Sequence, residues 1–326
     1  MISVLLPTYN SAHCIERSVR SILAQTFTKF ELLILDDGST DNTESVIRSI
    51  GDPRICYFSL PHAGISSALN EGIRQSRYKT LARMDAGDLA FRERLAKQYE
   101  ILTKRTPQTI VSCQYAIFQH EHIKYLVSGS PDSSKIKRRL ALHPDFPHPG
   151  VMYDKEFISR HGMYRIVPLE DYDLWLRLKD VAEFHIIQEP LLLVEHSTSS
   201  LTNRDVQKRY RDHYQLQGPY FSDLRQSFGM TDESEILMTE GWREYFYGVP
   251  SVARKKWKQL GWALISHPAL LAAFGLSFLP KHLFTAVKEL RLKQRVKYLF
   301  RYYFREEQLC RRELNLYVPV GSAGDR

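Results

Sequence analysis

An α/β fold with a doubly wound, mostly parallel sheet flanked by helices is predicted by three observations. Short apolar runs alternate with helical spacing from Ile2 to Phe118. The runs are too short for typical helices and apolar on both faces, as strands of a buried parallel sheet are. Two of them end in acidic turns, Asp36-Asp37 and Asp85-Ala86-Gly87-Asp88. In open α/β sheets, ligands bind in the crevice beyond the carboxyl ends of the strands.

Ile2 to Leu6 is the first strand, closed by Pro7-Thr8-Tyr9-Asn10. Asn10 or Ser11 can cap a helix that carries Ile15, Val19, Ile22 and Leu23 at helical spacing. Glu31 to Leu35 is the second strand and runs into Asp36 and Asp37. Gly38 supplies backbone freedom, and Ser39, Thr40 and Asp41 suit the cap of a helix starting near Thr43, with Val46, Ile47 and Ile50 on one face. Two adjacent carboxylates there are costly to bury unless something uses them. The plainer alternative is a capped helix with one solvated Asp.

Arg54 to Ser59 and Thr80 to Met84 are the third and fourth strands, with a helix over Ser66 to Gln75 between them. A helix from Arg92 to Lys104 places Leu95, Tyr99 and Leu102 on one face before Pro107 stops it, and Thr109 to Phe118 is the fifth strand. From His120 to Pro149 the alternation lapses. Lys135 to Arg139 reads as the solvated face of a short helix, and Pro144, Pro147 and Pro149 mark irregular chain around His143 and His148. Val151 to Tyr153 resumes order. Glu170-Asp171-Tyr172-Asp173 then leads into a helix over Leu174 to Val181, striped by Leu174, Trp175, Leu178 and Val181, and its acidic start suits a helix N-terminus. Phe184 to Val194 reads as a final strand pair ending at Glu195-His196.

Of 326 residues, 43% are hydrophobic and 25% charged, which suits one large or two modest globular domains. Cys14, Cys56, Cys113 and Cys310 lie far apart with no C-x-x-C pair, against a disulfide scaffold or zinc module and for a reducing compartment. The chain opens on a strand-like run without a signal-peptide pattern, so a cytoplasmic location is expected.

LLPTYN, LLILDDGSTDNT, ARMDAGD, PHPGVMY, LEDYDLWLRL and VEHSTSSLT, in that order, resemble the family 2 glycosyltransferases, nucleotide-sugar-dependent enzymes of the GT-A fold. The likeness covers residues 1–203. It implies a catalytic GT-A domain there; residues 204–326 read separately, from their charge and apolar stretches, as a basic, amphipathic helical region. It also implies that Pro7, Thr8, Tyr9 and Asn10 line the nucleoside pocket and that Asp37 hydrogen-bonds the base or ribose. Arg83 could reach a phosphate, or be a solvated strand-end charge. The turn after it would bind a divalent cation, Mn2+ or Mg2+, on the diphosphate. The family pattern at this turn is Asp-x-Asp-Asp, and Gly87 stands at its third position. The turn could then recruit Asp88, use Asp85 through water or hold its metal weakly, and the ligands that the resemblance implies are Asp85, Asp88 and His196. Asp171 would be the general base.

The chemistry fits these residue types. The diphosphate of a nucleotide sugar leaves from the anomeric carbon, and a hard cation held by oxygen ligands neutralises the developing charge. The acceptor hydroxyl must lose its proton as it attacks, so a carboxylate base is needed on the opposite face. Asp171 fills that place, with Glu170 as second choice, and one in-line displacement inverts the sugar. A charged first turn complementing the helix dipole is the alternative for this pair. His148 is equally a loop histidine or a residue near the acceptor.

A processive polysaccharide synthase would carry Gln-x-x-Arg-Trp and several membrane spans, whereas Trp242-Arg243 runs in the reverse order. Transfer of one sugar per acceptor is favoured. A nucleotidyltransferase would show a Gly-rich phosphate loop after the first strand, and PTYNS is not one. Gly87 suggests a further alternative, a degenerate nucleotide-sugar-binding protein without activity.

Net charge is +8, and residues 251–312 carry 14 Lys/Arg against 3 Glu, so the rest of the chain is slightly acidic. Apolar stretches interleave with this charge: Trp262 to Leu279, then Tyr298, Phe300, Tyr302, Tyr303 and Phe304 among Arg301 and Arg305. The mix fits an anionic membrane surface better than nucleic acid. A helical subdomain packed on the body is one alternative. A single span is another, since Trp262 to Leu279 reaches about the needed length. A surface-bound region would suit a glycan or lipid-linked acceptor at the inner face of the plasma membrane, in cell-surface polysaccharide or glycolipid assembly.

Overall fold

The computed structural model describes residues 1–119, 122–144, 146–196, 206–221 and 224–278. They fall into two compact units, residues 1–136 with 146–196, and residues 137–144 with 206–278.

The first unit is built on one sheet of nine strands: β1 (Ile2–Thr8), β2 (Phe30–Asp36), β3 (Ile55–Ser59), β4 (Thr80–Arg83), β5 (Leu89–Ala90), β6 (Thr109–Gln119), β7 (His122–Val127), β8 (Met152–Asp154) and β9 (Glu183–Glu195). Their order is β3-β2-β1-β4-β8-β6-β9-β5, with β7 on β6. The half β3-β2-β1-β4 is parallel, as is the long β6–β9 pair, so most of the paired length is parallel. β8 is antiparallel to both β4 and β6. The helices are α1 (Ile15–Leu23), α2 (Thr43–Ile50), α3 (Ile65–Gln75), α4 (Arg94–Thr103), α5 (Ser133–Arg139), α6 (Lys155–Arg160) and α7 (Glu170–Leu178).

Every residue of β1 and β2 is buried, which is why these strands read as unbroken apolar runs rather than alternating ones. Ile15, Val19 and Ile22 of α1 pack in the same core as Val4, Leu6, Leu32 and Ile34. Register is in step across the centre: Thr8 lies beside Asp36, and Leu5 beside Arg83. The chain therefore leaves β1, β2 and β4 along one edge.

Several expectations need correction. Asn10 and Ser11 do not cap α1, which lacks a side-chain cap; they bind the turn after β2 instead. β5, β7 and α6 are elements that the apolar pattern did not mark, being short or solvent-lined. The helix near Leu174 begins at Glu170 and ends at Leu178, so Val181 lies beyond it, 47% exposed. Phe184 to Val194 is one strand, not a pair. Its register on β6 shifts around Gln114 and Pro190, where proline has no N–H to give the ladder.

The second unit contains α8 (Val206–Phe221), α9 (Leu224–Phe228), α10 (Glu233–Phe246), α11 (Pro250–Lys258), α12 (Trp262–Ser266) and α13 (Pro268–Leu276). Trp257 is fully buried at its centre among Tyr245, Leu260, Leu264, Leu270 and Ala273. Arg243 lies 3.8 Å from the Tyr214 ring and 4.4 Å from that of Phe221. The apolar stretch from Trp262 breaks at extended His267 and at Pro268, which starts α13. Among the described residues no helix is long and apolar enough to cross a membrane. The basic and aromatic residues from Lys281 to Arg305 lie outside the described residues.

Gly241 has a steric reason to be glycine, since a Cβ there would lie 2.0 Å from Nε1 of Trp257. Gly241→Ala should destabilise the protein by about 2 kcal/mol in urea titrations, because overpacking outweighs the gain in helix propensity. An unchanged midpoint would mean that Trp257 does not pack on α10 this way.

Candidate active site

The loops leaving β1 and β2 are fastened to each other. Asn10, at φ 49°, accepts the Thr40 N–H at 2.8 Å, while its own N–H donates to Ser39 Oγ at 2.8 Å. Ser11 N–H donates to Thr43 Oγ1 at 2.9 Å, and Ala12 N–H to Asp41 at 3.1 Å. The polar residues after β2 thus hold the β1 loop as well as the start of α2. Asp36 and Asp37 are both buried. Asp36 accepts from Ser39 N–H at 2.8 Å and from the Tyr57 hydroxyl, so it is structural.

Asp37 accepts the backbone N–H groups of Ala63 and Gly64 at 2.8 and 3.0 Å, just ahead of α3, and its Oδ2 lies 2.9 Å from His62 Nδ1. The His62 ring stacks on Tyr9 with centroids 4.4 Å apart, and Tyr9 is 46% exposed. Pro7 is buried within β1, and the Thr8 hydroxyl is buried without a hydrogen-bond partner. A cleft of about 290 Å³ lies between residues 63–66, where this loop enters α3, and residues 166–168, which lead to the head of α7.

Arg83 ends β4 with 1% of its surface exposed, which excludes a solvated strand-end charge. Its guanidinium pairs with Asp85 at 2.5 Å. Burial lowers its pKa, and Asp85 more than offsets this, so it stays charged. Glu170 and Asp171 are within the field of both residues. Burial, then Asp171, pushes Glu170 up to about 7, and burial raises Asp171. Asp171 Oδ1 accepts the Tyr172 N–H at 2.8 Å. His148 Nδ1 lies 3.9 Å from Glu170 and 4.0 Å from Asp171, while Nε2 meets the Tyr164 hydroxyl at 2.8 Å. Burial and Arg83 hold His148 well below the usual histidine range, so it is neutral at pH 7.

Gly87 takes φ +100°, a conformation that glycine adopts freely, and its N–H donates to Ser18 Oγ at 2.8 Å. A Cβ here would lie 2.8 Å from Oε2 of Glu195, so the carboxylate of Glu195, paired with Arg17, fills the space a residue-87 side chain would enter. Asp88 accepts the Glu195 N–H at 2.9 Å through Oδ1, while Oδ2 is buried without a hydrogen-bond partner. Burial, then Asp85, drives the Asp88 pKa well upward. His196 is exposed at the end of β9 and is not grouped with Asp85 and Asp88. Among the described residues no three His, Cys, Asp or Glu side chains form a metal-holding cluster by themselves.

The structure thus brings Arg83, Asp85, Asp88, Glu170, Asp171 and His148 together, and sets Asp37 with Tyr9 along the same strand edge. Several positioning residues escaped sequence reasoning. Arg94, fully buried on α4, donates to the carbonyls of Pro149 at 2.8 Å and Arg83 at 3.0 Å. Gln98 donates to Gly150 O at 2.7 Å. Asn70 brackets the Tyr164 backbone with two hydrogen bonds of 2.8 and 3.0 Å. Arg177 pairs with Asp173 at 2.8 Å and donates to the carbonyls of His161 and Met163, holding the loop ahead of Glu170. None of these has a sequence signal, because each acts on a backbone group far along the chain.

Residues 3–163 match the family described as glycosyl transferase family 2. The O-antigen biosynthesis glycosyltransferase WbnJ of Escherichia coli is 31% identical, over 55% of this chain and 71% of that protein. The UDP-Glc:alpha-D-GlcNAc-diphosphoundecaprenol beta-1,3-glucosyltransferase WfgD of Escherichia coli is 28% identical, over 55% of this chain and 70% of its own length. An uncharacterized glycosyltransferase of Rickettsia typhi is 29% identical over 62% of this chain, and the match spans 66% of that relative. The structure of the mannosyltransferase PcManGT from Pyrobaculum calidifontis, in complex with GDP-Man and Mn2+, aligns with a TM-score of 0.56 over 89% of this chain and 86% of its own, at 18% identity. That likeness is one of fold.

The crowding of Glu170 against Asp171 can be measured directly. The Glu170 carboxyl should titrate near pH 7 by carbon NMR, protonated below and ionised above. Asp171→Asn should lower that midpoint, since one like charge is gone. An unchanged midpoint would leave burial as its whole cause.

Proposed function

The chain belongs to glycosyl transferase family 2, and from that premise we infer that it moves one sugar from a nucleoside-diphosphate sugar to an acceptor hydroxyl with inversion. The carrying observation is the set of carboxylates gathered around Arg83 at the carboxyl edge of the sheet. The exposed Tyr9 ring, backed by His62, offers a surface for a nucleobase beside Asp37. Asp37 would shape this pocket through the loop at Ala63 and Gly64, in addition to meeting the ribose or base.

A divalent cation fits this site. Magnesium is commonly held by one or two carboxylates plus substrate phosphates rather than by a full protein cage. Asp85, about a third exposed, and Asp88 with its orphaned Oδ2 match that donor set. These two would hold the ion, and a bound cation supplies neutralisation of the departing diphosphate. Arg83 would hold and orient Asp85 rather than touch a phosphate.

In the transfer step the acceptor oxygen bonds to the anomeric carbon as the bond from that carbon to the diphosphate oxygen breaks. The acceptor proton passes to Asp171, and the nucleoside diphosphate leaves with the electron pair. Asp171 is the more exposed carboxylate of its pair, and its backbone hydrogen bond fixes its orientation. Neutral His148 can touch the pair without forming a salt bridge that would pull both pKa values down. The acceptor class is a glycan or a lipid-linked sugar; the likeness to WfgD, named for transfer to a diphosphoundecaprenol-linked sugar, supports the latter. The basic helical region would keep the protein peripheral on an anionic membrane surface.

Calorimetric titration with UDP, GDP and dTDP sugars, with and without manganese, tests the donor. Asp171→Asn should cut transfer by about 10²–10⁴-fold while leaving donor affinity nearly intact, and transfer at the wild-type rate would sink its assignment as base. Asp37→Ala should weaken donor binding by about tenfold, because a lost charge-assisted contact costs about 1.5 kcal/mol or more. The rate should rise with pH through about 7, since the Glu170–Asp171 pair must shed a proton to act as base. A flat profile across that range would separate this pair from catalysis.

A further inference from the structure

Resting on the reading of a peripheral enzyme, the geometry points to the outer sides of α12 and α13 as the surface that docks on an anionic phospholipid membrane. α13 is apolar all round its axis, a pattern that soluble proteins keep for buried helices. Leu270 and Ala273 turn into the Trp257 core. Leu271, Gly275 and Phe278, spaced as one helical stripe, remain exposed. On α12, Leu264 faces the same core while Trp262 is 84% and Ile265 55% exposed. Scattered apolar residues on a surface need no explanation, but a tryptophan and a phenylalanine flanking an apolar helix do.

Charge selects the occupant. From Tyr245 to Phe278 the chain has four Lys/Arg and no Asp or Glu. Lys256 is engaged by Glu240, whereas Lys255 and Lys258 are exposed just ahead of Trp262. Arg254 stacks over the Phe278 ring at 4.5 Å and donates to the Ser277 carbonyl, so a cation sits against the exposed aromatic. Aromatic side chains entering the headgroup boundary, ringed by cations that meet lipid phosphates, describe an interfacial contact. A second copy of this chain would bring cation to cation across the same face.

The test uses the full chain, without detergent, and vesicles of phosphatidylglycerol mixed with phosphatidylcholine, or of phosphatidylcholine alone. The protein should sediment with the anionic vesicles at least tenfold better than with neutral ones. Trp262 fluorescence, assigned by Trp262→Phe, should be quenched by acrylamide in free protein and shielded on vesicles. Trp262→Ser with Phe278→Ser, and separately Lys255→Glu with Lys258→Glu, should each lower partitioning at least tenfold with unchanged melting. Equal binding to both vesicle types overturns the proposal, as do variants that bind like wild type. A Trp262 shielded before vesicles are added also overturns it, because another part of the chain or a second copy then covers the face. Donor titration in the same preparations keeps the two readings apart. A chain that binds nucleotide sugar but no vesicles loses only this surface, and one that binds vesicles but no donor loses only the transferase reading.

Discussion

A guanidinium sealed into the end of β4 is the constraint around which the site is assembled. Removing a cation from water costs several kcal/mol unless opposite charge and hydrogen bonds replace the solvent. Arg83 finds its partner in Asp85, two residues on, and lies in the field of Glu170 and Asp171 from the head of α7. Burial raises the proton affinity of both carboxylates, and Asp171 adds to it for Glu170. A charge hidden beneath the surface thereby creates carboxylates of two kinds above it. Asp85 is paired with Arg83, whereas Glu170 is pushed up to about 7, where proton transfer is efficient.

The same constraint explains the otherwise odd chemistry of α4. Arg94 is buried as deeply as Arg83, and burial draws its pKa down to about 10. It spends its donors on the carbonyls of Arg83 and Pro149, and Gln98 reaches Gly150 one turn later. These bonds fasten backbone carbonyls where β4 ends and around the 148–150 turn. The chain directly after His148, which lies 3.9 Å from Glu170 and 4.0 Å from Asp171, is fastened by these bonds. The acidic turn departs from its family pattern at Gly87, yet negative charge is not missing from that place. Glu195 arrives from β9, with Arg17 as counter-charge, to fill the space left by the absent side chain.

Most of the central sheet was legible from the chain, since β1, β2 and β4 bury both faces and leave unbroken apolar runs. The acidic turns were legible for a related reason, because charge directly after such a run must lie at a sheet edge. Short antiparallel pieces were not. β5 has two residues and β8 three, too few to carry a period, and their pairing is decided by what lies beside them. Pro190 hid the continuity of β9, since proline usually ends a central strand and here only shifts its register. Arg83 read equally as a phosphate contact or a solvated charge, and nothing in the chain marked it as buried, because a strand end looks the same in each case.

The chain by itself determined the α/β class, the positions of the carboxylates along it, and the concentration of positive charge beyond residue 250. Those follow from period, composition and local turn chemistry. Only the tertiary structure decided that Arg83 is sealed beneath Asp85 and near Glu170 and Asp171, that Asp36 is structural while Asp37 shapes a loop, and that Glu195 stands in the space at Gly87. Each depends on groups tens of residues apart meeting at distances where burial and charge set the energy, and such distances are a property of the fold rather than of any single segment.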